Sequence, residues 1–120
     1  MTIRILVVDD DVHVRQAIRW ILEDEGYIVT EAADGNEALR VIGEGAPDLV
    51  VLDLTMPEVD GYGVAAVLQA QEGPRAPILL ITADGQAPAK AERVHAFAYL
   101  RKPFAIEDLL RAIRRQLADH

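Results

Sequence analysis

Short runs of apolar residues alternate along this chain with longer segments in which apolar residues recur every three or four positions. The runs are rich in Val, Ile and Leu and lack a polar alternation, as in strands that are buried on both faces of a sheet. They predict five strands, at residues 3–8, 27–32, 48–53, 77–82 and 97–100.

The segments between the runs carry the helical pattern. Val14, Ala17, Ile18, Ile21 and Leu22 describe one face of a helix over residues 12–25, which Gly26 ends. The same spacing predicts helices around residues 38–42, around residues 64–68 and over residues 106–117. Residues 84–94 have a weaker pattern that Gly85 and Pro88 interrupt, so we expect a short or mobile helix and leave the conformation of residues 84–97 open.

Five strands that alternate with helices through short loops predict an α/β fold, with one doubly wound parallel sheet covered by helices on both faces. The length of 120 residues suits a single domain, residues 1–120. In such a sheet every strand ends at the same edge, where ligands bind. The polar residues that follow the strands, Asp9, Asp10, Asp53, Thr82 and Lys102, should therefore lie around one rim.

Composition narrows the class of protein. There is no cysteine, which excludes disulfides and thiolate metal sites and suits a reducing compartment; with no targeting or membrane-spanning segment, we expect a cytoplasmic protein. The net charge is −8, and residues 1–60 carry 14 acidic against 4 basic side chains. A nucleic-acid surface needs a basic face, so this balance argues against direct nucleic-acid binding and suits a cation site.

The acidic residues at the rim predict that cation. Carboxylates that converge within a few Å repel each other, and Mg²⁺ compensates well because it prefers oxygen ligands and keeps waters that phosphate oxygens can replace. Asp10 and Asp53 each follow a buried strand, which favours a functional role. Asp11 and Asp34 are better interpreted as helix caps or turn residues.

Nearly the whole chain resembles a response-regulator receiver domain of a two-component system. The motifs that carry the resemblance are Val7-Val8-Asp9-Asp10, Asp53-Leu54-Thr55-Met56-Pro57 with Asp60-Gly61, Ile81-Thr82-Ala83, and Tyr99-Leu100-Arg101-Lys102-Pro103-Phe104. Each motif alone is a weak signal, but together, in order and at the correct strand ends, they are a strong one. The resemblance implies a flavodoxin-like strand order, 2-1-3-4-5.

By this resemblance, Asp53 is the phosphoacceptor, which attacks a phosphohistidine on a partner kinase to form an acyl phosphate. Asp10 and Asp53 would bind Mg²⁺ with the backbone carbonyl of Thr55, and Asp9 would help, largely through water. The residues Asp53, Thr82 and Lys102 would then form the catalytic set, Thr82 and Lys102 contacting the new phosphoryl group. These roles agree with general chemistry, since phosphoryl transfer needs positioning and charge neutralisation.

The resemblance also implies a switch, in which Thr82 moves towards the phosphoryl group and Tyr99 turns inwards. This movement would change the surface formed by the fourth helix, fifth strand and fifth helix. The resemblance further suggests a cis Lys102–Pro103 peptide bond. One departure lies at His95, where the family has Gly, and one exposed aromatic, Trp20, lies off the apolar stripe of the first helix.

Three other classes compete with this interpretation. Haloacid-dehalogenase-like phosphatases also form an aspartyl phosphate, but their motif is Asp-x-Asp, and Thr55 stands where the second Asp would be. A flavodoxin-like electron carrier would place a cofactor phosphate beside Asp9, Asp10 and Asp11, where repulsion is severe. A receiver-like interaction module that is never phosphorylated is the third, and the retained Asp53, Thr82 and Lys102 argue against it.

The implied protein is a switch that catalyses only its own phosphorylation and dephosphorylation, with Mg²⁺ as cofactor, and is no turnover enzyme. Its partners would be a sensor histidine kinase or phosphotransfer protein and a downstream effector protein or domain, with a homodimer as a further candidate. No effector domain follows residues 116–120, so we expect a free-standing receiver, the alternative being a domain cut from a longer regulator.

Overall fold

In the computed structural model, which describes residues 2–54, 60–71, 75–83 and 85–118, strands and helices alternate strictly along the chain. The strands are β1 (Arg4–Val8), β2 (Ile28–Ala32), β3 (Leu49–Asp53), β4 (Ile78–Thr82) and β5 (Ala98–Arg101). The helices are α1 (Val12–Asp24), α2 (Gly35–Glu44), α3 (Asp60–Ala70), α4 (Ala87–Arg93) and α5 (Ile106–Ala118).

The strands form one sheet in the order β2-β1-β3-β4-β5, and every neighbouring pair is parallel. This confirms the predicted architecture and strand order. The central strand β3 is buried along its whole length, which explains why its sequence lacks a polar alternation. Val51 faces Val7 of β1 on one side and Leu79 of β4 on the other.

The alternating side chains of the strands build a separate apolar core on each face of the sheet. One core joins residues such as Leu6, Leu52 and Leu80 to helices α2, α3 and α4. The other joins residues such as Val7 and Val51 to helices α1 and α5. Helices on both faces are therefore confirmed, and none of the helices in the described part of the chain is long and apolar enough to cross a membrane.

Two aspartates begin helices, as predicted. The Asp11 carboxylate accepts hydrogen bonds from the backbone N–H groups of His13 and Val14 at the start of α1, and Asp34 accepts one from Glu37 N–H in α2. Each carboxylate pairs with donors that the helix itself leaves without partners. Helices α1 and α5 begin and end within one residue of the prediction, which is the usual scatter at helix termini. Helices α2 and α3 extend two to four residues beyond the predicted ranges 38–42 and 64–68 at each end.

The region of weak pattern before β5 contains a short helix, as expected. Helix α4 has 7 residues, and Pro88 lies in its first turn, where a missing N–H costs no helical hydrogen bond. His95, just after α4, adopts the left-handed region with φ of 56°. Glycine reaches this region without strain, so the backbone accounts for the Gly that the resemblance implies at this position.

Candidate functional site

The polar residues predicted at one rim do meet at the carboxyl ends of the central strands. Asp9 directly follows β1, whereas Asp53 and Thr82 are the last residues of β3 and β4. Lys102 directly follows β5, and its backbone N–H donates to the Thr82 carbonyl at 2.8 Å. The parallel topology thus gathers side chains that are up to 93 residues apart in sequence.

Three carboxylates form an acidic cluster at this rim, which comprises Asp9, Asp10 and Asp53. One oxygen from each lies within 4.8 Å of the others. Asp9 and Asp53 are buried, at 0% and 1% exposed, whereas Asp10 is exposed to solvent. The strand ends hold the first two carboxylates inside, and the exposed Asp10 gives the cluster an opening towards solvent.

This donor set fits a hard divalent cation. Mg²⁺ binds oxygens at about 2.1 Å in an octahedron, so its ligand oxygens lie roughly 3 to 4 Å apart. The spread of the three carboxylate oxygens is close to that range, and remaining positions can be taken by water. Thr55, whose backbone carbonyl was predicted as a further ligand, lies outside the described residues.

Lys102 is the positive partner of the acidic cluster. Its Nζ donates to Asp9 Oδ2 at 2.8 Å and to Asp53 Oδ2 at 3.2 Å, and its side chain is 19% exposed. A single ammonium thus bridges the two buried carboxylates. Its charge partly neutralises a site that would otherwise hold two unpaired buried anions.

The pKa shifts follow from this geometry. Burial raises the pKa of Asp9 above its ordinary value, and the Asp53 charge adds to the rise, while hydrogen bonds from Lys102 and Asp11 N–H reduce it without cancelling it. Burial lowers the pKa of Lys102, but the Asp9 and Asp53 carboxylates outweigh burial and raise it overall. The cluster therefore keeps a charged ammonium and makes Asp9 easier to protonate than an ordinary aspartate.

Asp9 is fixed through all of its polar groups. Its backbone N–H donates to the Ala32 carbonyl at 3.1 Å, and its Oδ1 accepts from Asp11 N–H at 2.9 Å. Its Oδ2 accepts from Lys102, and its backbone carbonyl accepts from Arg15 Nη1 at 2.8 Å. These hydrogen bonds hold the loop that carries Asp9 and Asp10 in place.

The sequence reasoning missed Arg15 and its anchor Glu31, which Arg19 also contacts. Arg15 Nε donates to Glu31 Oε1 at 2.9 Å, and Arg19 Nη1 donates to Glu31 Oε2 at 3.0 Å. Two arginines four residues apart on α1, with a glutamate near the carboxyl end of β2, were the available signal. That signal shows which residues share a helix face, but not that one of them reaches the Asp9 backbone.

The proposed switch residues differ in exposure. Thr82 is fully buried at the end of β4, whereas Tyr99 on β5 is 40% exposed and so lies on the surface. Lys102–Pro103 is a cis peptide bond, which confirms that prediction. Trp20 is 79% exposed on α1, as its position off the apolar stripe indicated.

Comparison with known proteins identifies the family. The sequence model of the response regulator receiver domain family matches residues 5–114. The chain belongs to this family. The resemblance inferred from the four motifs is thereby confirmed, and the acidic cluster found in the structure is compatible with a Mg²⁺ site in such a domain.

Individual relatives agree with this assignment. The chain is 45% identical over 119 residues to the response regulator MprA of Mycolicibacterium vanbaalenii, covering 98% of this chain and 51% of that protein. The chain thus spans about half the length of the curated relatives it matches.

Among solved structures, the chemotaxis protein CheY4 of Vibrio cholerae has a TM-score of 0.85 and 34% identity, covering 96% of this chain and 98% of that one. The response regulator TrrA of Thermotoga maritima, in complex with Mg²⁺-BeF, has a TM-score of 0.84 and 33% identity, covering 95% and 98%. Both solved proteins share the fold of this chain and about a third of its residues.

Proposed function

We propose that this receiver domain is a phosphorylation-controlled switch in which Asp53 accepts a phosphoryl group from a phosphohistidine. The donor would be a sensor histidine kinase or a phosphotransfer protein. The observation that carries the proposal is the environment of Asp53: it lies at the end of β3, 3.2 Å from Lys102 and within the acidic cluster. This carboxylate is buried beside a cation at the ligand-binding edge of the sheet. That environment suits in-line attack on phosphorus.

In the transfer step, one carboxylate oxygen of Asp53 attacks the phosphorus of the phosphohistidine. A P–O bond forms as the P–N bond breaks, and the bonding electron pair returns to the imidazole nitrogen. The carboxylate is the nucleophile and has no proton to lose, so the site needs no general base. The task of the surrounding residues is positioning and charge neutralisation.

Asp9, Asp10 and Asp53, with the Thr55 carbonyl that the family resemblance implies, would hold Mg²⁺. When bound, the ion would neutralise charge on the phosphoryl oxygens. Lys102 supplies a second positive charge from the protein itself, since its Nζ already lies beside both Asp9 and Asp53. The Lys102 ammonium lies 3.2 Å from Asp53. A small movement of the flexible Lys102 side chain would let it pair with an oxygen of a phosphoryl group on Asp53.

The output would be carried by Thr82 and Tyr99. Thr82 lies at the same rim, and its hydroxyl would bind the new phosphoryl group. Tyr99, now 40% exposed, would turn inwards as Thr82 moves, so that a local charge event changes the surface of α4, β5 and α5. That surface would contact a downstream effector protein or domain, or a second copy of the chain.

This function implies a cytoplasmic protein that modifies only itself and is no turnover enzyme, without direct contact to nucleic acid. The competing function is an interaction module that is never phosphorylated. The retained Asp53, Thr82 and Lys102 in a single rim favour the switch over that alternative.

Incubation of the full chain with acetyl phosphate and Mg²⁺ tests the proposal by intact-mass spectrometry. We expect the wild type to gain one phosphoryl group, Asp53→Asn to gain none, and omission of Mg²⁺ with EDTA present to suppress the gain. Asp34→Asn is the matched control, because Asp34 caps α2 and asparagine can cap equally well. This control should be phosphorylated like the wild type.

Absence of any modification of the wild type, with acetyl phosphate and also with a phosphorylated histidine kinase partner, would establish the interaction-module function instead. Continuous release of phosphate from unrelated phosphomonoesters would favour a phosphatase. Modification of Asp53→Asn to the same extent as the wild type would place the acceptor elsewhere.

A further inference from the structure

Arg15 occupies an unusual place beside the acidic cluster, because its guanidinium donates a hydrogen bond to the backbone of that cluster. It lies in the first turns of α1, directly after the loop that carries Asp9 and Asp10. Its side chain is only 14% exposed. A long cationic side chain this well buried is held by specific partners.

The two ends of the Arg15 guanidinium contact different parts of the fold. Nη1 donates to the Asp9 backbone carbonyl at 2.8 Å, and Nε donates to Glu31 Oε1 at 2.9 Å. Glu31 lies in β2, in register with Val7 of β1. Because it is part of the sheet, Glu31 anchors the guanidinium, and the planar fork then fixes the direction of the remaining donor.

The Asp9 carbonyl belongs to the peptide unit that joins Asp9 to Asp10. A peptide unit is planar, so a hydrogen bond to its oxygen fixes the plane and thereby limits where the Asp10 side chain can point. Asp10 is the exposed member of the acidic cluster and has the least packing to hold it. The contact from Arg15 therefore acts on the ligand whose direction the core cannot set.

We infer that Arg15, anchored by Glu31, is a positioning residue that aligns the Asp9–Asp10 pair for binding a divalent cation. The inference rests on the proposed Mg²⁺ site. Arg15 would not touch the ion; it would act through the peptide between two of its ligands. Partners of this kind behind a metal ligand typically change affinity by about 10-fold or more when removed.

Electrostatic repulsion and positioning predict opposite effects of removing Arg15 on the affinity for Mg²⁺, which makes the inference testable. Arg15 is a cation near a divalent cation site, so its removal should strengthen Mg²⁺ binding if only Coulomb repulsion mattered. If positioning dominates, its removal should weaken binding. Arg19 provides the matched control, because it carries the same charge on the same helix and binds the same Glu31, through Oε2.

The experiment is calorimetric titration of Mg²⁺ alone into the unphosphorylated full chain. We expect Arg15→Gln to raise the Kd about 10-fold. Arg19→Gln should stay within about twofold of the wild type, towards tighter binding, since a distant surface charge is largely screened. Urea unfolding in EDTA shows whether the two variants lose comparable stability, so that an affinity loss confined to Arg15→Gln cannot be a general effect of instability.

Arg15→Lys is the second variant and decides the matter if Arg15→Gln does not fold. It keeps the charge but loses the fork that spans Glu31 and the Asp9 carbonyl, so weaker Mg²⁺ binding than in the wild type cannot be a charge effect. Binding as tight as that of Arg19→Gln in both Arg15 variants would overturn the inference.

Failure of the inference is distinguishable from failure of the proposed function. If the wild type binds no Mg²⁺, or if Asp10→Asn binds it as well as the wild type, the metal site itself is wrong and the inference falls with it. If the wild type binds Mg²⁺ and is phosphorylated on Asp53 while the Arg15 variants bind normally, only the role of Arg15 is refuted.

Discussion

Replacing Lys102 by methionine should destabilise the protein near neutral pH and do so less as the pH falls. Methionine keeps most of the aliphatic volume and removes the ammonium that lies 2.8 Å from Asp9 and 3.2 Å from Asp53. Both carboxylates are buried, so neither can exchange its lost partner for full hydration. The variant therefore leaves two anions facing each other in a poorly solvated site.

The size of the expected loss of stability follows from how exposed Lys102 and its two carboxylate partners are. Removing one partner of a fully buried ion pair costs about 3 to 5 kcal/mol. The Lys102 side chain is 19% exposed and Asp10 opens the cluster to solvent, so part of the interaction is screened. We therefore expect a loss of about 2 kcal/mol, or a fall in Tm of about 8 °C for a domain of this size.

The sign of the pH dependence comes from Asp9. Its pKa is raised in the folded protein, chiefly by burial, so the folded state binds this proton more tightly than the unfolded state. Protonated Asp9 thus favours folding, and this advantage is fully present below the ordinary aspartate pKa of about 3.9 and is lost as the pH rises through the raised value. Loss of Lys102 raises that pKa further, which moves the window towards neutral pH.

Urea unfolding of Lys102→Met and wild type at about pH 8 and about pH 5 measures both effects. The stability difference should be larger at the higher pH. Lys90→Met is the control, because it removes the same charge from the other lysine of the chain, outside the acidic cluster, and its effect on stability should not share this pH dependence. Equal stability of Lys102→Met and wild type at pH 8, or a difference that does not shrink on acidification, would refute the stabilising role of the Lys102 ammonium between the two buried carboxylates.

Two further predictions concern backbone conformation, at His95 before β5 and at Gly61 in α3. His95→Gly should raise the free energy of unfolding by about 1 kcal/mol, because φ is 56° at this residue, and an unchanged urea midpoint would show that the conformation is not strained. Gly61→Ala should leave the protein about 1 kcal/mol less stable than Gly63→Ala, since both variants gain helix propensity but only the Cβ at residue 61 would collide with the Leu54 side chain and lie 3.3 Å from the Asp53 carbonyl. Gly63→Ala on the same helix meets nothing within 4 Å, so helix propensity should make it neutral or stabilising; equal losses in both variants would argue against the collision.

Most of the fold could be predicted because its signals are local. The uniform Val and Leu content of β3 indicates a strand buried on both faces, and the three- and four-residue spacing of Ile18 and Leu22 indicates a helix face. Helix α4 was the weakest prediction, because seven residues give barely two turns and Ala87 and Ala91 are its only buried residues among those described. A short helix of this kind owes its stability to packing more than to its own sequence.

The chain order alone determined that Asp9, Asp53, Thr82 and Lys102 would share one edge, because parallel strands that alternate with helices must all end on the same side. Only the tertiary structure decided that one ammonium bridges Asp9 and Asp53, and that Arg15 reaches the peptide between Asp9 and Asp10. Such contacts join separate elements, and they depend on side-chain direction and on differences of a few tenths of an ångström in the distance between atoms. Periodicity and motif spacing specify where a residue lies along its own strand or helix, whereas the packing of one element against another sets which atoms meet.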